Sequence, residues 1–92
     1  MAWSLDIRNK AVKFLNSQDK SIQQRCKQAL NTLIDYLDAG TLPFKELDIK
    51  RLSGAKDGSM RLRIGNIRFI FKIDLKSKTI KIFTIGYRGD VY

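Results

Sequence analysis

The sequence contains no histidine, one proline and one cysteine, and its apolar runs are only a few residues long. Without histidine or a second thiol, the chain lacks the usual ligand clusters for a metal, and it also has no glycine-rich phosphate loop. The apolar runs fall far short of the roughly 20 residues that span a bilayer, and no leader-like segment opens the chain. We therefore expect a cytoplasmic protein without a metal or another cofactor.

Hydrophobic residues make up 43% of the 92 positions and are spread through the chain. No low-complexity segment, internal repeat or linker interrupts them. A chain of this size buries roughly 60 to 68% of its unfolded surface, enough for one small core. We expect a single domain over residues 1–92, with Cys26 in its core because that residue shares helical spacing with Ile22 and Leu30.

The charge is strongly biased. Eighteen lysines and arginines face nine acidic residues, which gives a net charge of +9. Residues 41–92 carry +7 of this, so the excess lies in the C-terminal half. Such a field attracts polyanions, and nucleic acid, an anionic membrane and an acidic protein all remain candidates.

The first forty residues combine a short strand with two helices. Residues 2–7 alternate apolar and polar side chains with the period of a half-buried strand. The period then changes to that of a short helix ending near residues 16–17. A longer helix follows, with Asp19 or Ser21 as its N-cap and Gly40 at its end. The short turn between the two predicts a helical hairpin packed on a sheet.

The remaining residues predict the rest of that sheet. Residues 41–58 have no clean period, and we interpret them as a packed loop with weak strand or turn content. Three strands follow with these approximate bounds: Ser59–Ile64, Ile67–Asp74 and Thr79–Ile85. Their short connections indicate an antiparallel meander. The predicted fold class is α+β, with an N-terminal strand, a helical hairpin and a three-stranded antiparallel meander forming one sheet.

Basic residues of the predicted meander fall on one face. Alternation with apolar neighbours leaves Arg61 and Arg63 together on the solvent side, and it places Arg68 and Lys72 of the next strand on the same side. Guanidinium groups are planar, permanently charged and able to bind phosphate through two hydrogen bonds. The pattern predicts a phosphate-binding surface. A basic face that serves only solubility, or that resists edge pairing, is the alternative.

Without histidine, acid–base chemistry would fall to carboxylates, lysine, tyrosine or arginine. Tyrosine needs a strongly lowered pKa to act as a base near neutral pH, and a dense positive field lowers the pKa of a phenol. The positions of Tyr87 and Tyr92 relative to the arginines therefore matter. Ile70 and Phe83 are candidates for the outer face, either as RNA stackers or as part of a protein-binding groove.

Two segments carry a resemblance to a known family. Residues 59–74, SMRLRIGNIRFIFKID, and residues 85–92, IGYRGDVY, resemble the RelE branch of the RelE/ParE toxins of prokaryotic toxin–antitoxin systems. The family's usual wording is close to Tyr-Arg-Leu-Arg-Val-Gly-Asp-Tyr-Arg-Ile and then Gly-His-Arg-Arg-Asp-Val-Tyr. Here Tyr87 stands where many relatives have histidine, and Gly89 where many have arginine. The resemblance extends over the whole chain, and its C-terminal part is the specific portion.

This resemblance implies a metal-independent endoribonuclease. It implies ribosome-dependent cleavage of mRNA in the decoding site, with the ribose 2′-hydroxyl attacking its own phosphodiester. It also implies that Arg68 binds the scissile phosphate, that Arg88 is a second active-site arginine, and that Tyr92 is a general base or a stacking group. The expected RNA-binding residues are Arg61, Arg63, Lys50, Arg51, Lys72 and Tyr87.

The family further implies a cognate acidic antitoxin that covers the basic surface, and +9 suits such a partner. We expect a monomer when free and a hetero-oligomer with the antitoxin. Two other functions remain open: inhibition of DNA gyrase, as by ParE toxins, and a catalytically inactive module that binds RNA or an antitoxin. The presence of Arg61, Arg68, Arg88 and Tyr92 argues against the gyrase alternative.

Overall fold

The computed structural model describes residues 3–52, 54 and 57–87. Within these ranges the chain forms two helices and five strands: β1 (Ser4–Ile7), α1 (Asn9–Asn16), α2 (Lys20–Asp38), β2 (Asp48–Arg51), β3 (Met60–Ile64), β4 (Ile67–Asp74) and β5 (Thr79–Tyr87). The predicted α+β class, with its N-terminal strand, pair of helices and antiparallel meander, is confirmed.

Helix α2 has a well-defined cap at each end. The Asp19 carboxylate accepts a hydrogen bond from the backbone N–H of Ile22 at 2.9 Å, so Asp19 rather than Ser21 is the N-cap. At the other end Gly40 has φ +83° and its N–H bonds to Leu37 O, while Thr41 N–H bonds to Tyr36 O. This is a Schellman motif, which glycine enters without strain. The caps fix where the helix begins and ends.

The five strands form one sheet in the order β1-β5-β4-β3-β2. Strand β1 pairs with β5 in parallel, and the other pairs are antiparallel. Strand β2 lies in the segment that the sequence predicts as a loop with weak strand or turn content. Of its four residues only Ile49 is buried, so the strand leaves little hydrophobic period in the sequence. Its pairing with β3 makes it an edge strand.

The turn between β3 and β4 is the tightest in the sheet. Only Gly65 and Asn66 separate the two strands, and Gly65 has φ +57°. A two-residue hairpin turn requires positive φ at such a position, and glycine supplies it at no steric cost. The turn fixes the register in which Arg63 faces Arg68.

The core lies between the two helices and one face of the sheet. Phe69 and Phe71 are fully buried in it, together with Leu33 of α2. Fully burying such side chains stabilises the fold by about 1.5 to 3 kcal/mol each. Cys26 is buried as expected, and burial raises the pKa of its thiol. The opposite face of the sheet carries mainly polar and charged residues.

Candidate nucleic-acid interface

The face of the sheet away from the helices carries a group of basic side chains. The β3–β4 register sets Arg63 directly opposite Arg68, and Arg61 directly opposite Ile70. Residues opposed in an antiparallel pair project to the same side, so the three arginines share one face, as the alternation predicts. The register of β2 adds Lys50 opposite Arg61, and alternation along β4 adds Lys72. We call these five residues the basic face: Lys50, Arg61, Arg63, Arg68 and Lys72.

A carboxylate lies within the basic face. Asp48 of β2 is directly opposite Arg63, and its Oδ2 lies 2.8 Å from Arg63 Nε. Its Oδ1 accepts a hydrogen bond from Arg61 Nη2 at 3.1 Å. One aspartate therefore joins two of the three arginines. The expectation that Arg61 stands in solvent is wrong, because this contact and the neighbouring strands leave its side chain only 11% exposed, against 47% for Arg63.

Two apolar side chains accompany the charged ones. Ile70 is half-buried opposite Arg61 and Thr84. The β4–β5 register shifts between Ile70 and Phe71, which leaves Phe83 of β5 without a directly opposed residue at a bulge. The Arg8 guanidinium lies 5.4 Å from the centroid of the Phe83 ring, within cation–π range. At the bulge, the partly exposed Phe83 ring therefore lies next to the Arg8 guanidinium.

Arg51 does not join the basic face. Its register partner is Met60, whose side chain is buried on the helix side of the sheet. Arg51 instead lines an apolar groove of about 450 Å³ at the end of α2. The apolar walls of this groove include Trp3, Leu37, Phe44, Met60, Ile73 and Leu75. Phe44 is 50% and Leu75 is 75% exposed, so the groove presents apolar surface to solvent.

Tyr87 also lies apart from the basic face. It is the last residue of β5 and pairs with buried Ile67, which places it on the helix side. Its ring packs edge-on against Phe14 with the centroids 5.3 Å apart, and its hydroxyl forms a short hydrogen bond with the Gln18 side chain. These contacts tie the end of β5 to α1 and to the turn that follows α1.

Arg88 and Tyr92, the two remaining predicted catalytic residues, lie outside the described residues. Within the described ranges no group of three or more histidine, cysteine, aspartate or glutamate side chains is placed to hold a metal ion. Among the described residues, the site consists of three arginines, two lysines and the Asp48 carboxylate.

Sequence reasoning missed two residues near the basic face. Asp48 falls in a stretch without a clear period, although its two-residue spacing from Lys50 is the alternation that puts both on one side. Arg25 of α2 lies next to buried Cys26 in sequence, and its guanidinium reaches the Gly65 turn. Arg25, Asp48 and Arg63 line one polar cavity of about 430 Å³ at the β2 edge of the sheet. The pairing of β2 with β3 brings Asp48 to Arg63, and the packing of α2 on the sheet adds Arg25.

Comparison with known protein families assigns this architecture. A family model described as the ParE toxin of type II toxin–antitoxin systems, parDE, matches residues 5–92. The chain belongs to this toxin family. Comparison with curated protein sequences gives no significant match.

Solved structures support the likeness of this chain to the RelE branch of the RelE/ParE superfamily. It is similar to a chain of the archaeal RelE–RelB complex from Pyrococcus horikoshii OT3, with a TM-score of 0.77, 29% identity, and coverage of 99% of this chain and 100% of that chain. The RelB–RelE antitoxin–toxin complex from Methanococcus jannaschii gives 0.71 at 24% identity, covering 95% of this chain and 94% of that one. The isolated E. coli RelE toxin has a TM-score of 0.71 and 16% sequence identity, with coverage of 99% of this chain and 92% of that chain.

The similarities to the Methanococcus jannaschii and E. coli structures show a shared fold only. The family match and the similarity to the Pyrococcus horikoshii complex confirm the resemblance to the RelE/ParE toxins. Among the described residues of the toxin, neither helix is long and apolar enough to cross a membrane.

Proposed function

We propose that this protein is a ribosome-dependent mRNA endoribonuclease that inhibits translation, acting in the cytoplasm as a single domain over residues 1–92. The observation that carries the proposal is the grouping of Arg61, Arg63 and Arg68 on the side of the sheet away from the helices. A guanidinium group is planar and charged, and it can bind two phosphate oxygens of an RNA backbone through paired hydrogen bonds. The resemblance to RelE toxins, which the similarity to the Pyrococcus horikoshii RelE–RelB complex supports, favours RNA cleavage as the chemistry.

In the proposed reaction the RNA supplies its own nucleophile. The ribose 2′-oxygen forms a bond to the adjacent phosphorus, and the bond from phosphorus to the 5′-oxygen of the next nucleotide breaks. The proton of the 2′-hydroxyl passes to a base, and the leaving 5′-oxygen gains a proton. The products are a 2′,3′-cyclic phosphate and a 5′-hydroxyl end. The protein's task is to hold the phosphodiester in line and to stabilise the charge that develops on its oxygens.

The proposed roles come from the family resemblance, taken together with the placement of the described residues on the sheet. Arg68 binds the scissile phosphate, and Arg61 and Arg63 bind its charged oxygens and the flanking backbone. Lys50 and Lys72 contribute charge at the margins of the basic face. From the family resemblance, Arg88 is a second active-site arginine and Tyr92 is a general base or stacking group. Arg51 and Tyr87 lie on the other side of the sheet, so they would contact RNA only where the mRNA extends around an edge of the sheet.

The proposed inhibitor is an acidic antitoxin that forms a hetero-oligomer with an otherwise monomeric toxin. RelE–RelB complexes are known among the solved relatives. The net charge of +9 favours an acidic partner. The groove beside Arg51, with exposed Phe44 and Leu75, offers that partner an apolar anchor next to a cation. We assign the groove to an amphipathic acidic segment of the antitoxin.

Inducing the protein in growing bacteria while mapping message 5′ ends tests the function. New 5′ ends within translated codons, absent from an Arg68→Ala strain, support the proposal, as does cleavage of mRNA on purified ribosomes. The family description names ParE toxins, so DNA gyrase inhibition is the second candidate. Growth arrest with intact messages and broken or tangled chromosomes would favour it. Absence of both toxicity and cleavage would indicate an inactive binding module.

A further inference from the structure

One acidic side chain lies inside the proposed RNA-binding surface. Asp48 holds Arg61 at 3.1 Å through Oδ1 and approaches Arg63 at 2.8 Å through Oδ2. A lone carboxylate on a surface that binds phosphate reduces its positive charge, which by itself weakens RNA binding. Its geometry supplies a second effect that acts in the opposite direction.

The contact with Arg63 is made at Nε, the nitrogen nearest the aliphatic stem. A guanidinium carries most of its N–H donors on the two terminal nitrogens, so this contact leaves those donors for another acceptor. Arg61 is likewise engaged through a single terminal nitrogen, Nη2. Asp48 thus contacts both arginines and leaves other N–H donors on each guanidinium group.

Asp48 is itself held in a defined place. Its strand pairs with β3 so that Asp48 faces Arg63, and the adjacent Ile49 is buried in the core opposite Leu62. The carboxylate therefore projects from a fixed backbone. A long arginine side chain loses rotamer entropy when it is ordered, and a neighbour that orders it beforehand removes that cost from RNA binding.

We propose that Asp48 is a positioning residue, which orients Arg61 and Arg63 so that their remaining donors meet the phosphodiester in the transition state. This inference rests on the proposed function. Asp48 acts through the arginines and does not itself touch the reacting atoms. Its carboxylate lowers the charge of the surface, but its removal costs more in orientation than it gains in charge.

The test is cleavage of mRNA on purified ribosomes by wild type, Asp48→Asn and Asp74→Asn. Asp74 pairs with Lys81 at 3.5 Å at the far end of β4, so its variant makes the same charge change away from the arginines. Asp48→Asn should lower kcat about tenfold or more, the effect of losing a group that orients an active-site residue. Its affinity for ribosomes carrying a message with a 2′-deoxy cleavage site should be unchanged or higher. Asp74→Asn should cleave like wild type, and Asp48→Glu should recover part of the loss.

A double-mutant cycle separates orientation from general damage. Arg63→Lys keeps the charge but removes the Nε contact, so it should reduce kcat as Asp48→Asn does. If Asp48 acts through Arg63, the double variant should be little worse than either single variant. Arg63→Lys leaves Asp48 paired with Arg61, so it remains informative even if Asp48→Asn does not fold.

Cleavage by Asp48→Asn at the wild-type rate or faster would overturn the inference, and so would equal losses in Asp48→Asn and Asp74→Asn. If wild type itself does not cleave on ribosomes, the proposed function fails instead. The arrangement of the two arginines is then read from their Nε–H nuclear magnetic resonance signals. These signals should shift in Asp48→Asn and stay in place in Asp74→Asn, and unchanged signals in both variants would contradict the positioning role.

Discussion

Arg63 and Arg68 face each other directly across the β3–β4 pair. Like charges in opposed positions of an antiparallel sheet are destabilising, and Asp48 contacts Arg63 from the neighbouring strand. The pair therefore places two guanidinium groups where one bound phosphate can contact both. We expect anion binding at this pair to stabilise the fold.

The first prediction concerns anions without RNA. Inorganic phosphate should raise the thermal unfolding midpoint of the wild type more than chloride does at matched ionic strength, because phosphate can bind between the two arginines. Part of this effect is general, since phosphate also strengthens apolar burial. The effect specific to the arginine pair is the additional rise in the unfolding midpoint that phosphate gives the wild type over Arg68→Ala. In Arg68→Ala only the general effect of phosphate should remain. Equal phosphate effects in both proteins would argue against an anion site at Arg68.

The second prediction concerns Arg68 in catalysis. Arg68→Ala should reduce cleavage on ribosomes by about 10²- to 10³-fold, the usual effect of losing one preorganised donor to the transition state. Lys76→Ala, in the turn after β4, makes the same charge change away from the arginines and should cleave normally. Equal rates for the two variants would remove Arg68 from the site.

The third prediction concerns Tyr87. Its packing on Phe14 and its bond to Gln18 indicate a structural role for the hydroxyl. Tyr87→Phe keeps the ring contact and should lower the free energy of unfolding by about 1 kcal/mol or less, with cleavage unchanged. Denaturant unfolding of Tyr87→Phe, Gln18→Ala and the double variant measures the pair. A large loss of kcat at wild-type stability would instead give the hydroxyl a part in the reaction.

The fourth prediction concerns the apolar groove. Phe44→Asp adds a negative charge at an exposed wall of the groove and should weaken binding of the acidic antitoxin about 10- to 30-fold, equal to a loss of about 1.4 to 2 kcal/mol. Titration calorimetry with the purified antitoxin measures this. Leu5→Asp is the matched control, since Leu5 is also exposed but lines a different groove. Cleavage on ribosomes should be normal in both, and equal affinities would place the antitoxin elsewhere.

The fifth prediction concerns acid stability. The Ser59 hydroxyl donates to the Asp57 carboxylate at 2.7 Å and the Ser59 backbone N–H donates at 3.0 Å, which holds the pKa of Asp57 below its ordinary value. A lowered folded pKa adds stability above the ordinary value of about 3.9, and this stability is lost as the pH falls through the folded value. The stability difference between wild type and Asp57→Asn should therefore shrink as the pH falls below about 4.

Denaturant unfolding from pH 7 to pH 2 follows this difference. Asp35→Asn, at an exposed position of α2, serves as the control for general charge effects. If the wild type and Asp57→Asn lost stability in parallel over the whole range, the Ser59 contacts would have no part in the acid response.

Much of the fold is predictable from local patterns. The helix bounds follow from apolar spacing and from the Asp19 and Gly40 caps, and these are short-range features written in consecutive residues. The same holds for the β3–β4 hairpin, because the two-residue turn at Gly65 and the alternation of apolar residues specify its register. That register in turn places Arg61, Arg63 and Arg68 on one side of the sheet, so the sequence alone predicts their grouping.

Long-range pairing decided the rest. The parallel pairing of β1 with β5 brings together strands from the two ends of the described chain, and no local sequence pattern specifies this pairing. Residues 48–51 form strand β2 because they pair with the edge of β3. This pairing brings Asp48 next to Arg63 and leaves the Arg61 side chain largely buried. From the family resemblance and the charge pattern, Tyr87 and Arg51 are predicted to contact RNA. In the folded sheet both side chains lie on the side that faces the helices. Sequence by itself determined the elements and the charge they carry. Tertiary structure decided which charges meet, because ion pairs form between side chains that only the packed sheet brings within a few ångströms.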